Sequence, residues 1–503
     1  MAIISVDVGT SMIKAVAYGS DGEELGLARR ASTVLRERPG WAEQDMHEVW
    51  SAVANTVSAA AAQAGEPVEA ISVTGQGDGC WLVDAALQPT GHAILWNDAR
   101  ATGIVNEWAA IGAEAELFAI SGTRTFAGLP HAIMAWLRTN DPARLERSRY
   151  SLSCDGWVFA CLTGTAAIDE SDAAAPFLDV SLRNYSTRTL ELLGIDWMEH
   201  FLPELLPDNN RVRPLAPGTA AVLGLAPGTP VVLAPYDIVA TAIGAGSVSP
   251  GSASTILGTT LCTQAIVQNH PAGTSVAGAT IPFGPPGQYL RAFPTLAGTE
   301  VLAWAAAMLG LADAAAVCRL ATHAPPGAGG LVCLPYLSPA GERAPFLDHQ
   351  ARGMLMGLSF EHTSAHVARA VVEGLSFVIR DCLEASRMVP AELRLCGGGA
   401  NSDAWSQIIA DIIGVPTVRP AAAEVGAMGA FMVAKVALCD VPDLPTAART
   451  FARERDFFIP GPRSDEYQSA FAGFQALRSV AGQAWPQLAT MRARQEDGLA
   501  SAY

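Results

Sequence analysis

Several stretches of the sequence place polar side chains at the ends of apolar runs, where a ligand could be met. Asp7-Val8-Gly9-Thr10-Ser11 closes the run Ile3–Val8. Gly9 lets the backbone approach a phosphate closely, and the Thr10 and Ser11 hydroxyls can donate to its oxygens. A carboxylate such as Asp7 beside phosphates makes sense with a bridging cation, which points to Mg²⁺. A plain hairpin turn would use the same residues. Gly258-Thr259-Thr260 lies between the runs Gly251–Leu257 and Leu261–Val267 and repeats the arrangement. Two such turns facing each other across a cleft could grip a nucleoside triphosphate from both sides, although each alone reads as an ordinary hairpin.

Cys396-Gly397-Gly398-Gly399-Ala400-Asn401-Ser402 follows the strand Leu393–Cys396 and opens a helix, with Asn401 or Ser402 as N-cap. Three glycines leave a flat backbone floor for an adenosine moiety or a phosphate, or simply a tight strand-to-helix turn. The pattern is not G-x-G-x-x-G, and no acidic ribose partner stands on a following strand, which disfavours a dinucleotide fold. Asp237, in Ala234-Pro235-Tyr236-Asp237-Ile238, ends an apolar strand and begins the Ala/Gly-rich stretch Ile238–Gly246. At a helix N-terminus its carboxylate is stabilised in the ionised form, which suits a general base and equally a helix cap. Gln76-Gly77-Asp78-Gly79 and Trp96-Asn97-Asp98-Ala99-Arg100 also follow apolar strands. Hydrogen-bonding groups beside an aromatic face suit a polyhydroxylated ligand, and polar loops over a core Trp use the same residues.

The elements that must position these residues are legible in outline. Ile3–Val8, Ile13–Tyr18 and Leu25–Ala31 form an antiparallel meander, followed by a helix over about Glu48–Ala64 and a buried strand at Ala70–Thr74. The segment Val6–Val16 is echoed in Thr255–Val267, each with a Gly-Thr turn between two strands, which suggests an internal duplication. The second half continues with helices at Glu300–Gly310, Ser364–Arg387 and Ser402–Gly414 and strands at Leu331–Leu334 and Leu393–Cys396. Pro282–Gly287 and Pro325–Gly330 read as loops, and the chain after about Trp485 as a peripheral tail. A chain of 503 residues exceeds one ordinary core, so two domains of mixed sheet and packed helices are expected.

Composition excludes several classes. The net charge of -17 and the lack of any Lys/Arg run argue against a nucleic-acid partner. The N-terminus lacks the basic segment of a signal peptide, and no apolar stretch is long enough to span a membrane, so a soluble, cytoplasmic protein is expected. Nine cysteines, scattered and without a C-x-x-C pair, suggest reduced thiols rather than a disulfide framework or a zinc site.

Taken in order, these pieces resemble the FGGY family of carbohydrate kinases from Ile3 to about Val480. The most specific segment is Gly353-Met354-Leu355-Met356-Gly357-Leu358 with His366-Val367-Ala368-Arg369-Ala370-Val371-Val372-Glu373-Gly374. Gly40-Trp41-Ala42-Glu43-Gln44-Asp45 and Gly341-Glu342-Arg343-Ala344-Pro345 are further hallmarks. The resemblance implies an α/β fold of two actin-like (ribonuclease H-like) domains with a cleft between them. It implies a sugar-binding domain at 1–246, a nucleotide-binding domain at 247–485 and a tail at 486–503. The implied reaction is ATP-dependent phosphorylation of a hydroxyl on a small sugar or polyol, with a homodimer as a further expectation.

By the same resemblance, Asp7, Gly9, Thr10 and Ser11 match the first phosphate motif, and Gly258, Thr259 and Thr260 the second. Gly397, Gly398, Gly399, Ala400 and Asn401 match the adenosine motif. Asp237 matches the catalytic base, and Asp7 and Asp237 are the carboxylates expected near Mg²⁺. Gln76, Gly77, Asp78, Trp96, Asn97 and Asp98 would line the sugar pocket. Two positions depart from the family pattern: Ile133 stands where a Lys is expected, and Gln76-Gly77-Asp78-Gly79 replaces the Gln-Met-His-Gly of xylulokinase-like members. A carboxylate only accepts, so Asp78 favours a C4–C5 polyol, with D-xylulose or L-xylulose as the alternative. An actin- or chaperone-like ATPase binding a protein partner is the reading from another class. It leaves the Asp and the polar, aromatic pocket without a purpose.

Overall fold

The computed structural model describes residues 1–269 and 276–500, with side chains up to 492. A six-stranded sheet in the first half runs in the order Val212–Pro214, Pro230–Leu233, Val68–Gly75, Ala2–Val8, Met12–Tyr18, Glu24–Ala31. A seven-stranded sheet in the second half runs Ala279–Pro282, Gln288–Pro294, Leu261–Gln268, Ala253–Leu257, Leu393–Cys396, Thr417–Pro420, Glu454–Phe458. Both contain an antiparallel meander whose first strand also pairs in parallel with a later strand. The duplication seen in the sequence is therefore a duplication of topology. Ala2–Val8 is buried along almost its whole length because helices cover both faces of its sheet, whereas the outer strand Glu24–Ala31 exposes half of its residues.

Register decides where the polar residues arrive. Val8 lies opposite Gly75, and Leu233 opposite Val73, so Asp7, Gln76 and Asp237 all reach the same edge of the first sheet. In the second sheet Ile256 lies opposite Cys396, which brings the turn at 258–260 beside the glycines at 397–399. Ligands meet open α/β sheets at such carboxyl edges.

Between the sheets, the helix Asp237–Gly244 crosses the helix Val425–Ala437. The crossing is close because two glycines make it so. A Cβ on Gly244 would sit 1.8 Å from the Val425 carbonyl oxygen, and one on Gly429 would sit 1.8 Å from that of Ala240. Ser72 ties the first sheet to the second helix by donating to the Ala430 carbonyl at 2.7 Å.

Three sequence expectations change. The glycines at 397–399 do not lead directly into a helix: a 3-10 turn, Gly398–Asn401, intervenes, and Ser402 rather than Asn401 caps the helix Asp403–Ile413 by accepting from the Trp405 N–H at 3.3 Å. Pro282 closes the strand Ala279–Pro282 instead of opening a loop. The chain beyond Trp485 continues the helix Glu466–Ala500, so the boundary expected at 486 falls inside a helix. Trp485 anchors that helix, buried and donating to the Arg352 carbonyl at 3.0 Å. Among the described residues, no single helix is long and apolar enough to cross a membrane.

Candidate active site

On the first hairpin, Asp7 stands directly across the strand pair from Lys14. The Lys14 ammonium lies 3.6 Å from Asp7 and 2.9 Å from Glu424, which arrives from the second half as the residue preceding the helix Val425–Ala437. Arg29 donates to the other Glu424 oxygen at 3.0 Å. Burial raises the Asp7 carboxyl above its ordinary range, partly countered by Lys14. Gly426 brings the start of its helix to Asp7: a Cβ there would be 3.2 Å from Oδ2. The N-terminus of that helix and the Lys14 ammonium of the first hairpin thus meet at Asp7.

Asp237 is the first residue of its helix and Tyr236 the cap, so the capping role open from the sequence falls to its neighbour. The helix N-terminus does not keep it ionised either. Burial, and then the charge of Asp7, push its carboxyl up to about 8, so at pH 7 it is largely protonated. Two mutually repelling carboxylates fit a divalent cation, which would lower both. No group of three or more His, Cys, Asp or Glu residues able to hold a metal exists among the described residues. Mg²⁺ needs no such cage: one or two carboxylates, water and phosphate oxygens suffice.

Thr10 does not present a free hydroxyl. It donates to Gln76 Oε1 at 2.7 Å and accepts from Trp96 Nε1 at 3.1 Å. Gln76 in turn donates to Gln44 Oε1 at 2.8 Å, and Gln44 donates to the Thr10 carbonyl at 3.0 Å. This closed ring of side chains fuses the first turn to the pocket wall. Ser11 is exposed and its hydroxyl is not engaged within the described chain, while Gly9 is pressed close to the Met12 carbonyl.

Asp98 leaves the list of ligand groups. Its oxygens are spent on Arg100 (2.9 and 2.8 Å) and on the Ala42 N–H (2.7 Å), because Arg100 is buried between Trp41 and Trp136 and needs the charge. Asn97 Oδ1 is buried and has no hydrogen-bond partner among the described residues. Gly77 leaves room for the Tyr236 ring, which a Cβ would meet at 2.2 Å. Asp78 adopts a left-handed backbone (φ 58), and its carboxylate makes no hydrogen bond within the described chain. Burial pushes it up to about 6, against the pull of Arg343.

On the opposite side, Thr259 is exposed and Thr260 half-buried, and neither hydroxyl is engaged within the described chain. Gly258 is held by its carbonyl, which accepts from the Thr299 N–H at 2.9 Å. Gly397 and Gly398 are exposed, Gly399 packs on Trp405, Ala400 is buried, and Asn401 accepts from Arg455 at 3.4 Å. An open glycine floor thus sits beside a turn with free hydroxyls.

Residues 2–244 match the N-terminal domain of the FGGY family of carbohydrate kinases, and residues 253–438 its C-terminal domain. The chain belongs to this family. It is 31% identical to the erythritol kinase of Brucella abortus, over 97% of this chain and 98% of that one. It is likewise 31% identical to the xylulose kinase of Escherichia coli, over 86% of this chain and 90% of the other. The fold matches that of ligand-bound xylulose kinase from Lactobacillus acidophilus with a TM-score of 0.90, at 24% identity, covering 97% and 99% of the two chains.

As an FGGY carbohydrate kinase, the protein is a phosphotransferase with two actin-like domains that uses ATP on small sugars or polyols. Several residues of its cleft escaped the sequence reading. Lys14 was findable, since the hairpin register places it opposite Asp7. Glu424 was not, because only tertiary packing brings it there. Gln44, Glu43 and Arg343 lay inside recognised segments without a role. Ile133, at the position where the family has Lys, is fully buried in the helix Pro130–Asn140.

Proposed function

We propose that this kinase phosphorylates a C4–C5 polyol, with Asp237 as general base. The observation that carries the reading is Asp78, a half-buried carboxylate that makes no hydrogen bond among the described residues. Such a group favours a ligand rich in donating hydroxyls. The relative named an erythritol kinase, aligned over 97% of this chain, supports it.

Residues 1–246 would hold the acceptor through Gln76, Gly77, Asp78, Trp96 and Asn97, and 247–485 the nucleotide. Gly397–Asn401 would floor the adenosine, while Gly258–Thr260 and Gly9–Ser11 would flank the phosphates. Mg²⁺, held near Asp7 and Asp237, would neutralise phosphate charge as the phosphoryl group passes in line. Asp237, in its ionised form, would take the acceptor hydroxyl proton. Lys14 and the start of the helix Val425–Ala437 add positive potential at the same corner.

A ketopentose is the second reading, favoured by Arg343, a donor near Asp78 that a carbonyl could use. The test is kcat/KM for erythritol, the pentitols, D-xylulose and L-xylulose with saturating ATP. We expect a tetritol or pentitol to lead. A clear preference for either xylulose overturns the polyol assignment.

A further inference from the structure

We propose that Arg343, from the second half, completes the acceptor site, and that Asp78 neutralises it so that the pocket takes uncharged polyols or ketoses and refuses sugar acids. This rests on the acceptor reading given above.

Arg343 is placed with care. Its backbone N–H donates to Glu342 Oε1 at 2.8 Å, and the same carboxylate oxygen accepts from the Leu296 N–H at 3.0 Å. Glu342 is 2% exposed, so this anchor is fixed. The guanidinium spends Nε on the Pro294 carbonyl at 2.9 Å and lies 5.6 Å over the Phe126 ring. Its two terminal nitrogens carry no hydrogen bond within the described chain, which leaves a donor fork unspent.

Phe126 belongs to the loop that walls the acceptor side. The Gly128 carbonyl of that loop accepts from the Gly79 N–H at 2.9 Å, and Gly128 itself is pressed against the Trp96 carbonyl. Arg343 thus reaches across to the residues beside Asp78. The charges attract, and each alters the other's proton affinity, yet they close no direct ion pair. A gap between an accepting carboxylate and a donating fork is the shape a pair of neighbouring hydroxyls fills. A carboxylate ligand would meet Asp78 as a like charge. Without Asp78, the unspent guanidinium would welcome it, since an arginine fork pairs bidentately with carboxylates.

The experiment measures kcat/KM for erythritol and xylitol and for the matching aldonates, D-erythronate and D-xylonate. It uses wild type, Arg343→Gln, Arg343→Lys, Asp78→Asn and the double variant Asp78→Asn/Arg343→Gln. Arg343→Gln should raise the KM of the best neutral acceptor about tenfold or more, with the KM for ATP within about twofold. Arg343→Lys should recover part of that loss. Asp78→Asn should raise the aldonate-to-polyol ratio of kcat/KM about tenfold, and the double variant should cancel the rise.

An unchanged acceptor KM in Arg343→Gln, or a ratio shift that survives in the double variant, overturns the role of Arg343 and leaves the acceptor reading standing. A parallel loss for acceptor and ATP with a lowered melting temperature makes Arg343 a packing residue and also overturns it. If Arg343→Gln does not fold, Asp78→Asn decides alone, and an unchanged ratio rejects the proposal. Wild type preferring an aldonate would instead bring down the neutral-acceptor reading itself.

Discussion

In the first hairpin Asp7 stands opposite Lys14, while at the matching place in the second hairpin Ile256 stands opposite Cys262. The two turns look alike in sequence, Gly9-Thr10-Ser11 and Gly258-Thr259-Thr260, and they occupy the same place in their sheets. Their surroundings differ. Thr10 is locked to Gln76 and Trp96, and Asp7 is tied through Lys14 to Glu424. The second turn is held by backbone contacts, and neither threonine hydroxyl is engaged within the described chain. The turn is kept and its surroundings have changed. The first turn is tied to the pocket wall and to Glu424, and on the proposed reading the second would offer its hydroxyls to a polyphosphate.

The sharpest way to break this division is Asp237→Asn. If the first half carries the chemistry, kcat should fall about 10²–10⁴-fold while the KM for ATP stays near wild type. Steady-state kinetics with the best acceptor would read it, and near wild-type turnover would remove Asp237 as base. Because the carboxyl sits at about 8 without a cation, its base form grows as pH rises through that value. The acid limb of kcat/KM should therefore report Asp237 and disappear in the variant.

Much of this site could be read from the chain because its pieces lie at strand ends. Asp7, Gln76, Asp237 and Gly397 each lie at the end of an apolar run, and parallel register brings such ends to one edge of each sheet. The rest depends on contacts between distant segments. Nothing local in Trp96-Asn97-Asp98 says that Asp98 is consumed by Arg100, because that pairing is driven by the burial of Arg100 against Trp41 and Trp136. Likewise the ionised Asp237 expected at a helix N-terminus gives way to burial beside Asp7, since desolvation of a carboxylate outweighs a helix dipole. The duplicated topology was legible from one Gly-Thr echo. The glycine-sealed crossing of the two central helices was not, because it needs Gly244 and Gly429 to be seen together.

Asp98→Asn probes the same half in a place where structure, not chemistry, should respond. The Asp98 and Arg100 side chains are almost wholly buried. Breaking a buried pair costs ~3–5 kcal/mol, and the surviving contact of Arg100 with Glu43 should hold the loss near the low end. Thermal melting should show it as a lowered transition, with the KM values of the folded fraction close to wild type. A stable variant with a raised acceptor KM would return Asp98 to the ligand site.

The smallest expected effects discriminate best between the hairpins, because they set like substitutions side by side. Thr10→Val keeps the side-chain volume but strands the Gln76 Oε1 acceptor and the Trp96 Nε1 donor, both turned toward the pocket wall. Leaving such groups unpaired costs ~1–3 kcal/mol, and acceptor kcat/KM should fall about tenfold with little change in the KM for ATP. Thr259→Val strands nothing in the described chain, because its hydroxyl is unengaged there. It should lose only a bond to the nucleotide, ~0.5–1.5 kcal/mol, seen as a rise of about two- to tenfold in the KM for ATP with the acceptor KM unmoved. Opposite columns of the same kinetic table thus answer to the two threonines. Should both variants raise the KM for ATP alone, Thr10 would be a phosphate ligand after all, released from Gln76 when nucleotide binds. The two hairpins would then be equivalent in work as well as in fold.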